Sequence, residues 1–213
     1  MENIRAYIKD IKLLGHSSIK LTGSLSDNLV CYFDPWKLKG NAPADYIFIS
    51  HDHHYDHFSL DDIKKILKPS SRVFMPKMLQ GKLDHDVKIL SPGDNYSDGI
   101  ISIKAIRAYN TNKSFHPYNY EGLGYVVAFE HASIYFAGDT DLIPEMKAVC
   151  CDIAFLPVSG TYVMNAPEAA EAAKIIKPRL AIPMHYADII GSYEDAMEFE
   201  KLCSFDTCLL LGR

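Results

Sequence analysis

The eight residues Ser50-His51-Asp52-His53-His54-Tyr55-Asp56-His57 constrain this chain more than any other stretch. They hold four of its nine histidines and two aspartates. They follow directly on Tyr46-Ile47-Phe48-Ile49, a short apolar run that reads as a buried strand. A turn just after a strand folds neighbouring side chains toward one point. Imidazole nitrogens and carboxylate oxygens together suit zinc and other divalent first-row metals. The set requires no cysteine, which points to a catalytic rather than a structural centre. Chance alone is a poor account of so many histidines in one loop.

Two further places repeat the arrangement. Asp139 follows Tyr135-Phe136-Ala137-Gly138, and His185 follows Leu180-Ala181-Ile182-Pro183-Met184, so each candidate ligand appears where an apolar strand ends. His116, in Phe115-His116-Pro117, lies in a polar, aromatic loop running from Tyr109 to Gly124. Each has an ordinary alternative: a turn or cap aspartate, a sheet-edge histidine, a solvated loop histidine. Within the first loop, His51 and His53 are two apart, which suits ligands on one side of a tight turn. Asp56 and His57 are adjacent, point in different directions and could serve a second metal. Two ions held there would clamp a hydroxide and lower its pKa.

The rest of the chain predicts an α/β protein of two packed sheets with few, late helices. Strands are expected at Ile4 to Ile8, Ile11 to Leu14, Ile19 to Leu21, Leu29 to Phe33 and Ala44 to Ile49. Further strands are expected at Arg72 to Met75, Val87 to Leu90, Ile101 to Ile106, Gly124 to Phe129 and Ser133 to Ala137. The last are Asp152 to Pro157, Leu180 to Met184 and a closing Thr207 to Leu211. Ser59 opens a helix with Asp61 and Asp62 in its first turn, and Asn165-Ala166-Pro167-Glu168 opens another. A third runs from Tyr193 to Cys203.

With 213 residues, 48% of them hydrophobic, the chain can form one domain, residues 1–213, around a single large core. A net charge of -5 without a basic block argues against a long nucleic acid or an anionic membrane as partner. No apolar segment is long enough to span a bilayer, and the polar start lacks a signal-peptide core. Five scattered cysteines, an odd number, argue against a disulfide framework and for a cytoplasmic setting.

These motifs resemble the metallo-β-lactamase superfamily over nearly the whole chain. The matching features are the His-x-His loop with its Asp56-His57 pair, the later histidine, Gly138-Asp139-Thr140 and the strand-terminal His185. Gly15-His16-Ser17-Ser18, Phe33-Asp34-Pro35, Leu156-Pro157-Val158-Ser159-Gly160-Thr161-Tyr162 and Ile182-Pro183-Met184-His185-Tyr186 are similar to the compact bacterial branch related to ascorbate-6-phosphate lactonase. The resemblance implies a four-layer αββα sandwich with a metal site along one sheet edge. It implies that His51, His53 and His116 hold one metal, that Asp56, His57 and His185 hold a second, and that Asp139 bridges them. Asp56 would orient the attacking water, Asp34 would fix a ligand imidazole, and His16 and Tyr162 would line the pocket.

One departure stands out. Two residues, His54 and Tyr55, separate His53 from Asp56 where the family has one. Either the loop bulges, or His54 takes the second-histidine place and Asp52 becomes a possible ligand. Tyr109-Asn110 also stands where many relatives carry a histidine. The expected activity is hydrolysis of a small ester, lactone or phosphodiester by a metal-bound hydroxide. No Gly-x-Ser-x-Gly elbow offers a covalent alternative. Zinc, manganese, iron and nickel all suit the ligands. The competing expectations are a nucleic-acid or nucleotide phosphodiesterase and a non-catalytic metal-binding protein.

Overall fold

The computed structural model describes residues 3–40, 42–52, 54–203 and 206–207. Among these residues the strands form two sheets, each in simple sequential order. The first sheet is built from β1 (Ile11–Gly15), β2 (Ser18–Leu21), β3 (Cys31–Phe33), β4 (Tyr46–Phe48), β5 (Arg72–Pro76) and β6 (Val87–Leu90). Its first three strands pair antiparallel and the rest parallel. The second sheet comprises β7 (Asn95–Ser97), β8 (Ser102–Ala108), β9 (Gly122–Ala128), β10 (Ser133–Phe136), β11 (Ile153–Pro157) and β12 (Leu180–Met184). Here β7 to β10 pair antiparallel, and β10, β11 and β12 are parallel.

The apolar runs without alternation are strands buried on both faces. Along β3 to β5, Cys31, Phe33, Tyr46, Phe48 and Phe74 point into the core between the sheets. Tyr32, Ile47, Ile49, Val73 and Met75 point to the opposite face, where Ile63 and Ile66 of α1 (Leu60–Ile66) cover them. On the far side, α2 (Ala166–Ile176) lies against β11 and α3 (Tyr193–Leu202) against β12. The buried alanines at 169, 170, 172 and 173 allow α2 to approach closely. The layers run helix, sheet, sheet, helix: the αββα sandwich.

The expected helix starts are present in detail. Ser59 accepts from the Asp62 amide, and Asn165 with Glu168 and Ser192 with Asp195 form reciprocal caps. One expectation fails: Ile4–Asp10 is a 3-10 helix, not a strand. Its buried residues are Ile4, Tyr7 and Asp10, a period of three that fits one face of such a helix. The short edge strand β7 has no apolar alternation and was not expected. The closing strand survives as a bridge from Thr207 to Ala181, and its remainder, 208–211, lies outside the described residues.

Aromatic rings join the two sheets. Phe33 and Phe48 stack at 4.5 Å and Phe48 and Phe74 at 5.3 Å, while Phe136 and Tyr125 of the opposite sheet meet Phe33 and Phe48 at 5.1 and 5.4 Å. Phe48 is therefore central to the spacing between sheets. Phe48→Ala is expected to lower unfolding stability by about 3–5 kcal/mol in urea titration. An exposed control, Ile100→Ala, should change it by less than about 0.5 kcal/mol.

Candidate metal centre

The parallel arrangement of β3 and β4, with Phe33 opposite Phe48, brings Asp34 beside the loop that leaves β4. Asp34 is fully buried, with its backbone in the left-handed region at φ 43°. Its Oδ1 accepts from the Ser50 amide at 2.7 Å, and its Oδ2 accepts from the Ser50 hydroxyl at 2.5 Å and from His57 Nδ1 at 2.7 Å. The Ser50 hydroxyl proton is thus committed, so Ser50 Oγ is assigned as acceptor from His51 Nδ1 at 2.8 Å. One carboxylate orients two imidazoles, His57 directly and His51 through Ser50.

Two ties from the second sheet hold this loop. The Leu123 amide donates to the Ser50 carbonyl at 2.9 Å, and the Tyr125 hydroxyl donates to the Ile49 carbonyl at 2.6 Å. Gly138, at φ 65°, lets β10 turn against the same loop. A side chain there would lie 2.8 Å from the Leu123 carbonyl and 3.2 Å from Ser50 Cβ. The turn delivers Asp139 to the centre of the cluster. Its Oδ2 lies 3.2 Å from His185 Nε2, 3.5 Å from His57 Nε2, 3.8 Å from His116 Nε2 and 4.0 Å from His51 Nε2.

Each of these rings is anchored through its other nitrogen. His185 Nδ1 is bonded to Ser159 Oγ at 2.8 Å, and His116 Nδ1 lies 3.3 Å from the Tyr162 carbonyl. Anchoring Nδ1 leaves Nε2 directed inward. Asn110 accounts for the departure at that position. Its side-chain amide donates to the Phe115 carbonyl at 2.9 Å and the Tyr162 carbonyl at 2.7 Å, and its backbone donates to the His116 carbonyl at 2.8 Å. It pins the loop that presents His116. Ser50, Ser159 and Asn110 thus have roles that the sequence reading did not assign them. Ser50 adjoins His51 in the chain, whereas Ser159 lies 26 residues from His185 and Asn110 six from His116, so local order gave those two no signal.

The remaining candidates fall into place around this centre. Asp56 and His57 converge instead of diverging, with Asp56 Oδ2 3.1 Å from His57 Nε2. His16, at φ 48°, has Nε2 3.9 Å from Asp56 Oδ2, and its ring lies 3.8 Å from that of His185. Its carbonyl accepts from the His185 amide at 3.0 Å, joining the two sheets at their β1 and β12 edges. His53 lies outside the described residues. His54 is exposed, its ring 6.1 Å from that of Tyr162. Asp52 is engaged by Lys82 and accepts from the Tyr120 hydroxyl at 2.5 Å.

Among the described residues, three overlapping groups at this centre could hold a metal: Asp34, His51 and His57; His51, His116 and Asp139; His57, Asp139 and His185. The last two share Asp139. Their electrostatics are tightly set. Burial alone would lower the His57 pKa, but Asp139, Asp34 and Asp56 outweigh it and hold it well above 6.5. Burial would raise that of Asp139, yet His185, His57 and His51 keep it well below 3.8. Burial, then His185, pushes His16 down to about 3.

In metal-free protein, His57 should therefore titrate above 6.5, and His16 far below it, at about 3. Nitrogen-15 NMR of the ring resonances checks both. Because the His57 pKa is raised on folding, its stabilising contribution is fully present below pH 6.5 and is lost as pH rises through the higher folded value. Asp34→Asn should lower the His57 pKa and weaken that dependence in thermal melts. A parent His57 titrating at or below 6.5 would contradict the assignment.

Comparison with known proteins shows the family. The β-lactamase superfamily domain matches residues 10–185. A protein of Staphylothermus marinus named as a metal-dependent hydrolase is 35% identical to this chain, over 92% of each. The crystal structure of a Parabacteroides distasonis protein that carries a metal-dependent hydrolase name is 32% identical, with a TM-score of 0.83 over 94% of this chain and 91% of that one. A metallo hydrolase from Ignicoccus hospitalis has the same fold at 21% identity and a TM-score of 0.74, over 94% of each chain. The chain belongs to the metallo-β-lactamase superfamily, in the family of its metal-dependent hydrolases.

Proposed function

We propose that the chain hydrolyses a small ester, lactone or phosphodiester at a centre of two divalent metal ions, zinc first among the candidates. The observation that carries this reading is the convergence of four imidazole Nε2 atoms within 4.0 Å of one carboxylate oxygen, Asp139 Oδ2. The donor set fits a cation. Asp139 Oδ1 is buried and has no hydrogen-bond partner among the described residues. A buried carboxylate oxygen left in that state is costly unless a cation meets it.

In this reading His51, His53 and His116 hold one ion, Asp56, His57 and His185 hold the other, and Asp139 bridges. When bound, such ions polarise the attacked oxygen and acidify water. The side chains provide the rest. In the metal-free protein His57 holds the Asp56 carboxyl below its usual range despite burial, and bound ions would keep it ionised in its place, so Asp56 can accept a hydrogen bond from the attacking water and orient it. Asp34 acts as a positioning residue for His57 and His51. His16, kept neutral by burial, forms the wall beside Asp56.

The continuous core from Ile4 to Phe199 supports taking residues 1–213 as one hydrolase domain. Cys31, Cys150, Cys151 and Cys203 are free thiols, which suits a reducing, cytoplasmic setting. No helix among the described residues is long and apolar enough to cross a membrane. A small-molecule substrate agrees with the weak net charge of -5.

Metal analysis of protein purified without added metal or chelator tests this directly. The parent should carry about two equivalents. His51→Ala and Asp139→Ala should each reduce the content, and Asp34→Asn should weaken affinity about 10- to 100-fold without removing a ligand. A parent holding less than about half an equivalent, unchanged by these substitutions and not restored by zinc or manganese, would sink the binuclear reading.

A further inference from the structure

His116 stands apart within its own loop. Of residues 111–121 it alone is buried, and the stretch has no regular structure beyond one 3-10 turn at Tyr118–Tyr120. A segment with so little apolar burial depends on polar ties for its conformation. The Asn110 bonds fix its start. Two aspartates then hold it on either side of His116.

Asp141 takes the first arm. Its Oδ2 accepts from the Thr111 amide at 2.7 Å and the Thr111 hydroxyl at 3.2 Å, and its Oδ1 pairs with Lys113. The Asp141 amide in turn donates to the Tyr109 carbonyl at 2.9 Å. Asp52 takes the second arm. Its Oδ1 accepts from the Tyr120 hydroxyl at 2.5 Å, and its Oδ2 pairs with Lys82. Bonds to an ionised carboxylate are shorter and stronger than neutral ones. Asp141 lies two residues beyond Asp139, and Asp52 one beyond His51. The loop that presents His116 is thus tied to the chain neighbours of the two groups gathered with it, His51 and Asp139. The Tyr120 ring spans this junction, 6.4 Å from the rings of both His51 and His116.

We propose that Asp52 and Asp141 are positioning residues for an ion held by His51, His116 and Asp139. They set the His116 loop in its ligating position as the chain folds, so that ion uptake need not order it. Their role rests on the two-ion reading and concerns one ion of the pair. The other group, His57, Asp139 and His185, is oriented by Asp34 and Ser159 instead. With both oxygens of Asp52 engaged, its place is in the support of the site and not among the ligands. The ties differ in strength. The Lys113 and Asp141 side chains are 16% and 3% exposed, whereas Lys82 is 47% exposed, so solvent screens the Lys82 bridge most.

Cobalt(II) titration of chelator-stripped protein tests this, because the visible absorption of cobalt follows each binding step. His116→Ala marks the step that belongs to this ion. Tyr120→Phe and Lys113→Met remove no candidate ligand. Each should weaken that step about 10-fold or more, and the other step less than about 2-fold. Lys82→Met should weaken it only about 2- to 5-fold. Equal losses at both steps in Tyr120→Phe and Lys113→Met, the mark of a general effect on the fold, overturn the proposal. Two parent steps that neither variant moves overturn it alone and leave the two-ion reading standing. A step lost in Asp52→Asn but kept in Tyr120→Phe also overturns it, since Asp52 would then be a ligand. A single parent step that falls in both variants upholds the clamp and counts against the second ion. A parent that takes up no cobalt sinks the metal reading and the clamp together.

Discussion

The buried carboxylate of Asp34 is the constraint on which the centre depends. Complete burial pushes its pKa up, while the hydrogen bonds from His57 and Ser50 work against that shift. An ionised carboxylate is tolerated in such a place only when donors surround it, and Asp34 has three. Those donors are also the groups that aim the histidines. The interaction that makes the burial tolerable therefore orients His57 and, through Ser50, His51. The register of β3 against β4 sets this geometry, because a slip of one residue would move Asp34 away from Ser50 and turn the slipped strand's core side chains to the other face.

The two sheets contribute unequal halves of one constellation. The first supplies His51, Asp56, His57 and the supporting Asp34, and the second supplies Asp139, His116 and His185. The second half alone brings only His185 and His116 to Asp139 Oδ2, and the first adds His57 and His51. Their separation is set by the aromatic layer of Phe33, Phe48, Phe136 and Tyr125, and Tyr125 also reaches the Ile49 carbonyl at the site's edge. Core packing and site geometry are thus coupled through a single side chain. A fold of this class hosts many chemistries, and the side chains at the site select among them.

Much of the fold was legible because strands buried on both faces have a distinctive composition. Cys31 to Phe33, Tyr46 to Ile49 and Leu180 to Met184 are apolar without alternation, and each is buried throughout. The helix caps at Ser59, Asn165 and Ser192 were legible for the same local reason, a side chain acting on an amide three residues away. Ile4–Asp10 was misread because its apolar residues suit more than one period. Tertiary burial of Ile4, Tyr7 and Asp10 decided between them. Strand β7 carries exposed side chains on an edge and leaves no apolar pattern to find.

From sequence alone, the chemistry of the candidate ligands and their positions at strand ends were determined, since residue type and local order are properties of the chain itself. The tertiary structure decided which nitrogen of each ring turns inward and how Asp56 and His57 converge. It also assigned Asn110 to the support of the His116 loop and engaged Asp52 with Lys82 and Tyr120. His16, Asp34, His116 and His185 all adopt left-handed backbone conformations that few non-glycine residues occupy. No local preference selects that geometry. It persists because contacts between residues far apart in the chain outweigh its local cost, and those contacts exist only once the two sheets have packed.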